Sequence, residues 1–248
     1  MDTTAQGLID LYTRMRSDSS GMVTLWNDVG RMCLTRKVDA LTAAINRTAD
    51  ATTSFTPYDS AIINSVAVDA TTVNAAGCAA WITPSGGGWF KFEPLLEFKV
   101  DAVESWLANC TDIALTYLAA SNFYTKVHEL YIDRVVTGTT TLTCEAGRRS
   151  ALVFRVFDPG SFIIADNDES EADMLFRERQ FTARQAVEKF GSGNVSSKVR
   201  DDYGPKPNAL HRYLQCVYPR PVNQQGKGGA AGFPFAEKWI DVAEKSQV

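Results

Sequence analysis

The stretch WITPSGGGWFKFEP, residues 81–94, sets three consecutive glycines between two tryptophans. A glycine run of this kind can present backbone amides to a phosphate. A P-loop, however, needs Gly-x4-Gly-Lys-Ser/Thr, because the lysine reaches the outer phosphates and the hydroxyl binds magnesium. No lysine follows these glycines, and the run comes after a predicted helix where a strand is required. A second glycine run, QQGKGG at 224–229, has its lysine, but Pro221 holds the first glycine position and Gly228 the hydroxyl position. Neither stretch reads as a nucleotide site. Nucleophilic catalysis would have to use His128, in KVHELY, or His211, in ALHRY, and neither lies near a G-x-S-x-G elbow or a recognisable cysteine motif. Both read as satisfied core or surface histidines.

The remaining chemistry-bearing residues also miss the spacings that sites demand. Five cysteines, Cys33, Cys78, Cys110, Cys144 and Cys216, lie far apart with no C-x-x-C pair. Neither a zinc site nor a disulfide framework is expected, and the cysteines read as buried and reduced. The sequons at Asn46, Asn109 and Asn194 read as chance. The acidic run DNDESEAD, with Asp166, Asp168 and Glu171, lacks the glycine and the final glutamate of an EF-hand loop and reads as a hairpin turn. FRERQFTARQ mixes Arg177, Arg179 and Arg184 with Glu178, which suggests a solvated or intersubunit ion-pair face. No catalytic residue, cofactor or metal is expected.

The elements that carry these residues can be read from periodicity. Leu8, Leu11, Tyr12 and Met15 share one face of a helix that stops near SDSSG, and MVTLWNDVGRMCL gives a second short helix. Residues 46–57 read as a polar loop. Thr56, Pro57 and Asp59 then give an N-cap, a first-turn proline and an early acid. In the helix that follows, Ile62, Val66, Ala70, Val73, Gly77 and Trp81 are expected to form the buried face. Beside them, Ala67, Thr71, Asn74 and Cys78 would let another helix come close. Pro84 ends this helix, and the glycines after it are expected to adopt backbone angles that other residues avoid. Val103, Trp106, Leu107, Cys110, Ile113, Ala114, Tyr117 and Leu118 mark a further helix, continued by Phe123, Val127 and Leu130.

Past residue 137 the period changes to that of strands. TTTLTC, ALVFRVF, SFIIAD and ADMLFRERQF alternate with turn compositions, which predicts a four-strand meander in a small antiparallel sheet or partly closed barrel. Thr182 and Gln185 form a capping box for the helix ARQAVEKF, with Gly191 placed to stop it. LHRYLQCVY and FAEKWIDV read as later strands, the last of them without a hairpin partner. The fold class is therefore α+β, with a helical part over 1–137 and a β-rich part over 138–248.

Composition limits the functions available to such a fold. With 248 residues and 45% apolar content the chain can bury a sizeable core. The balance of 25 basic against 29 acidic residues does not describe a surface that grips nucleic acid along its length. No apolar run approaches the ~20 residues of a bilayer span, and the start lacks a signal-peptide pattern. A cytoplasmic protein without membrane contact is expected. Large helices, mixed surface charge and no active site suit a structural or interaction protein.

The order of three blocks sharpens this reading. YDSAIINSVAVDATTVNAAGCAAWITPSGGGWFKFEP, then FRVFDPGSFIIADNDESEADMLFRERQFTARQAVEKFG, then ALHRYLQCVYPR resemble the head-to-tail connector, or portal, family of short-tailed bacteriophages. The likeness runs from about residue 55 to 240. By position, Pro84, Trp89 and Phe90 match the family's turn after a small-residue helix. Arg177, Glu178, Thr182, Arg184, Gln185, Phe190 and Gly191 match its second block, and His211, Pro219 and Arg220 its third.

The resemblance implies that these residues serve fold and assembly, and that the chain is the wing of a portal. It implies a virion component, assembled in the host cytoplasm as a homododecameric ring at one capsid vertex. The ring would bind capsid and scaffolding proteins, a terminase motor and tail adaptors. Double-stranded DNA would pass through it without sequence-specific binding, during packaging and ejection, and the net charge of −4 suits such a conduit. Two features depart from the family: SGGG replaces a turn that usually contains proline and arginine, and the stem and clip are expected outside this chain. The other reading is a non-enzymatic phage or cellular interaction module of α+β fold without a channel.

Overall fold

A computed structural model describes residues 3–34, 64–95, 100–147, 150–157, 159–226, 228–229 and 232–248. The polar loop at 46–57, the N-cap at Thr56 to Asp59, and Ile62 lie outside the described residues. The helices are α1 (Ala5–Asp18), α2 (Ser20–Cys33), α3 (Val66–Ile82), α4 (Asp101–Ala120), α5 (Phe123–Thr137), α6 (Ala183–Phe190) and α7 (Ser197–Tyr203). The strands are β1 (Thr141–Ala146), β2 (Leu152–Phe157), β3 (Phe162–Asp166), β4 (Ala172–Thr182), β5 (Leu210–Pro219), β6 (Phe235–Asp241) and β7 (Ser246–Gln247). The class is α+β, as the sequence indicates. The described residues divide into two compact units, one of 3–25 and 160–248, the other of 26–34 and 64–159. The change from helix to strand after residue 137 falls inside the second unit.

The first unit is a five-stranded antiparallel sheet in the order β3-β4-β5-β6-β7. It stays open and does not close into a barrel. Strand alternation sorts its side chains into two cores. Phe176, Leu214, Cys216, Tyr218, Ala236 and Ile240 gather around Leu8 of α1, which is fully buried. Phe181 and Tyr213, from the opposite face, pack with Ala183, Ala186, Val195 and Val199 of the α6–α7 region. Each large apolar side chain so covered contributes about 1.5–3 kcal/mol. α1 starts where Thr4 Oγ1 accepts from Gly7 N at 3.2 Å. The polar stretch after Gly191 holds α7.

Two expectations about the strands are corrected. The four runs do not form one meander, because β1 and β2 pair only with each other and β3 and β4 belong to the larger sheet. A 3-10 turn, Pro159–Ser161, stands between the two hairpins, and a proline there cannot donate to a ladder. β6 does have a hairpin partner: Ile240 pairs with Gln247 in β7. The turn closes locally, since Asp241 Oδ1 accepts from Ala243 N at 3.0 Å and Glu244 N at 3.4 Å.

The second unit packs α3 on α5. Ala75, Phe123, Val127, Tyr131 and Phe154 form its core, with Cys78 and Ala79 against it. Here the expected buried face is reversed. Thr71 and Ala75 are the buried residues of α3, whereas Val66, Val73 and Trp81 are 68%, 73% and 89% exposed. The small residues, not the larger ones, let α5 come close. On α4, Val103, Leu107, Cys110, Ala114 and Leu118 are half-buried, while Trp106, Ile113 and Tyr117 are exposed. Gly138, at φ 75°, closes α5 in the left-handed conformation that favours glycine.

The β1–β2 hairpin could not stand alone, as two-stranded sheets are marginal in water. Asn122 fastens it: its Nδ2 donates to Phe154 O and its Oδ1 accepts from Phe154 N, both at 2.8 Å. All five cysteines are free, but only Cys216 is buried, and Cys144 on β1 is exposed.

Candidate interaction surface

β4 carries Arg177, Glu178 and Thr182, with Glu178 on the opposite side of the strand from Arg177. Glu178 points toward α1, where Oε2 lies 3.2 Å from Arg16 Nη1 and accepts from the Tyr12 hydroxyl at 3.2 Å. Its Oε1 accepts from Arg212 Nε, on β5, at 2.6 Å. The Glu178 side chain is only 11% exposed, so one carboxylate ties a helix and two strands together. Burial, then the neighbouring Glu178 charge, pushes the Tyr12 phenol up to about 12. The hydrogen bond to Glu178 is the main cause that raises Arg212 above its ordinary value. With both oxygens held by cations and a phenol, Glu178 is an anchor.

The other side of the sheet carries an aromatic cluster. Phe190, at the end of α6, lies 5.2 Å from Tyr213 and 5.5 Å from Trp239, ring centre to ring centre, and Phe181 lies 5.6 Å from Tyr213. Cations cover its edge: Arg179 Cζ sits 4.6 Å above Phe181 and Lys189 Nζ 4.2 Å above Trp239. Thr182 and Gln185 form the capping box that was read from the sequence. Gly191, at φ 84°, ends the helix. The Arg184 side chain is exposed while its backbone N–H donates to Pro207 O at 3.2 Å.

His211 is buried, with Nε2 3.3 Å from Asp202 Oδ2 on α7. Pro219 and Arg220 close the far end of the sheet, where Arg220 N donates to Pro234 O at 2.7 Å. Cys216 is no nucleophile, because burial pushes its thiol from 9.0 up to about 12.

In the second unit the glycine run does not use glycine's conformational freedom. None of Gly86, Gly87 and Gly88 has a positive φ, and a Cβ on Gly86 or Gly87 would meet nothing within 4 Å. The hollow beside it is lined by Ala79, Ala80, Thr83, Pro84, Gly86 and Tyr124, with no cation for a phosphate. What the run does is deliver Trp89. That ring stacks on Phe123 at 5.8 Å with 3° between planes, meets Phe90 edge-on at 4.8 Å, and approaches Tyr124 Oη through Nε1 at 3.4 Å. Thr83, just before Pro84, is buried with its hydroxyl 3.2 Å from that of Tyr131.

The structure therefore gathers Arg177, Glu178, Thr182, Arg184, Gln185, Phe190, Gly191, His211, Pro219 and Arg220 within one sheet-and-helix body, and Pro84, Trp89 and Phe90 within the other. Sequence reasoning missed Tyr12, Arg16 and Arg212 as partners of Glu178. Their only local signal is the four-residue spacing of Tyr12 and Arg16 on α1. It also missed Lys189 and Trp239, which alternation alone assigns to opposite elements.

The chain belongs to the family of bacteriophage head to tail connecting proteins, whose model matches residues 5–248. It is 28% identical over 160 residues to a probable portal protein of Bordetella phage BPP-1, covering 63% of this chain and 28% of that relative. It is 21% identical over 246 residues to the portal protein of Salmonella phage epsilon15, covering 97% of this chain and 42% of that relative. The chain thus spans less than half the length of these relatives. Among the described residues no helix is long and apolar enough to cross a membrane.

Proposed function

We propose that the protein is a structural, non-catalytic subunit of a phage portal, contributing the wing of a ring at one capsid vertex through which double-stranded DNA is packaged and later ejected. The family match across residues 5–248 carries this reading. Several of the sequence-matched positions are consistent with it: Trp89 and Phe190 pack, Thr182 and Gln185 cap α6, and Glu178 is ion-paired. The ring is a homododecamer assembled in the host cytoplasm and built into the virion. Capsid and scaffolding proteins, a terminase motor and tail adaptors bind it, and DNA slides past a net negative protein without sequence-specific contacts.

The sequence-matched residues act through the fold: Glu178 holds β4 and β5 to α1, and Trp89 holds the segment after Pro84 to α5. Electron microscopy and mass photometry of the purified full-length gene product test the reading. Closed rings with a central channel are expected; only monomers at every concentration would count against the portal.

A further inference from the structure

We propose that the exposed apolar faces of α3 and α4 are the two halves of a head-to-tail contact between copies of this chain, an inference that rests on the ring proposed above. On α3, Val66, Ala70, Val73, Gly77 and Trp81 recur every three or four residues on the side opposite buried Thr71 and Ala75. On α4, Ala102, Trp106, Asn109, Ile113, Tyr117 and Ala120 do the same on the side opposite buried Thr111. Neither seam contains a charged residue. Trp81 is 89% exposed and Trp106 64%.

A helix that is apolar all round is stable where it is surrounded, and α3 carries one charge, Asp69, in 17 residues. Its uncovered side asks for a permanent neighbour. Permanent interfaces resemble a divided core, whereas transient ones keep a polar character, so an uncharged seam points to an obligate partner. A second copy is the partner present whenever the chain is. Asp69 beside the α3 seam and Asp112 beside the α4 seam argue against nucleic acid as the occupant.

Area agrees with this choice. The large seam side chains expose roughly 800 Å², and the alanines between them bring a joined pair of seams toward the ~1,200 Å² at which specific interfaces begin. Two different seams on one subunit make a heterologous contact, the kind that closes into a ring.

The test uses the full chain with Val73→Lys in one sample and Ile113→Lys in another, each mid-seam. Sedimentation is expected to show assembled wild type, with association weakened by at least ~100-fold in each variant, since each leaves a buried charge unpaired. A mixture of the two variants forms a species of twice the monomer mass, because the intact α3 seam of one meets the intact α4 seam of the other. The proposal is overturned if either variant keeps wild-type mass, if either pairs with itself, or if the mixture stays monomeric. Where the wild type is dilute enough to be monomeric, all three melt together. A lower midpoint for a variant there would put the chain's own residues on the seam and overturn the proposal. If the variants match an assembled wild type, this interface fails and the ring reading stands; a wild type that never assembles ends both.

Discussion

Replacing Glu178 by glutamine keeps the side chain's size and removes its charge. Three contacts meet at this carboxylate: Arg212 Nε at 2.6 Å, Arg16 Nη1 at 3.2 Å and the Tyr12 hydroxyl at 3.2 Å. Hydrogen bonds to charged groups contribute about 1.5–3 kcal/mol each. Solvent screens part of this, because the Arg16 and Arg212 side chains are 29% and 53% exposed. The net loss is about 2 kcal/mol, since glutamine can still accept one bond. At about 2–4 °C per kcal/mol for a chain of this size, the melting midpoint falls by about 4–8 °C.

Differential scanning calorimetry of wild type, Glu178→Gln, Arg212→Gln and the double variant reads both the loss and its origin. Residues in one ion-pair network are coupled, so the double variant loses about 1 kcal/mol less than the two single losses added together. A midpoint within about 1 °C of wild type, or losses that simply add, would refute the anchor.

Two further outcomes follow from the geometry. Trp89→Ala removes a ring stacked on Phe123 and leaves the segment after Pro84 undocked, at a loss of about 2–3 kcal/mol for a half-buried tryptophan. Urea denaturation reads that loss and ring yield reads its effect on assembly; unchanged values in both would sink the assignment. Stability also falls at alkaline pH. The Cys216 thiol is raised from 9.0 to about 12, and the phenols of Tyr12 and Tyr213 from 10.0 to about 12, each chiefly by burial. Because the folded values lie above the unfolded ones, these groups stabilise fully below pH 9 for the thiol and pH 10 for the phenols, and the contribution drains away as pH rises toward 12. Urea midpoints followed from pH 8 to 11.5 test this, with Cys216→Ala expected to lose less between pH 9 and 10. Equal slopes for both proteins in that window would contradict it.

Local features were legible in the residues alone. The Thr182–Gln185 capping box, the stop at Gly191, the runs that became β1 to β6 and the acidic turn at 166–172 all depend on residues within a few positions, whose caps, turns and alternation are short-range physics. The family blocks were legible for the same reason. Tertiary structure alone decided which faces were covered and which charges met. α3 is apolar nearly all round, so periodicity could not say which side α5 would take, and close approach selected Thr71 and Ala75 over the larger Val73 and Trp81. Glu178 meets Arg16 across 162 positions and Arg212 across 34, distances over which alternation and helical spacing carry no information. The open sheet and the separate β1–β2 hairpin were likewise set by the proline turn and by Asn122 reaching from the start of α5 to Phe154, a long-range pairing that strand composition does not record.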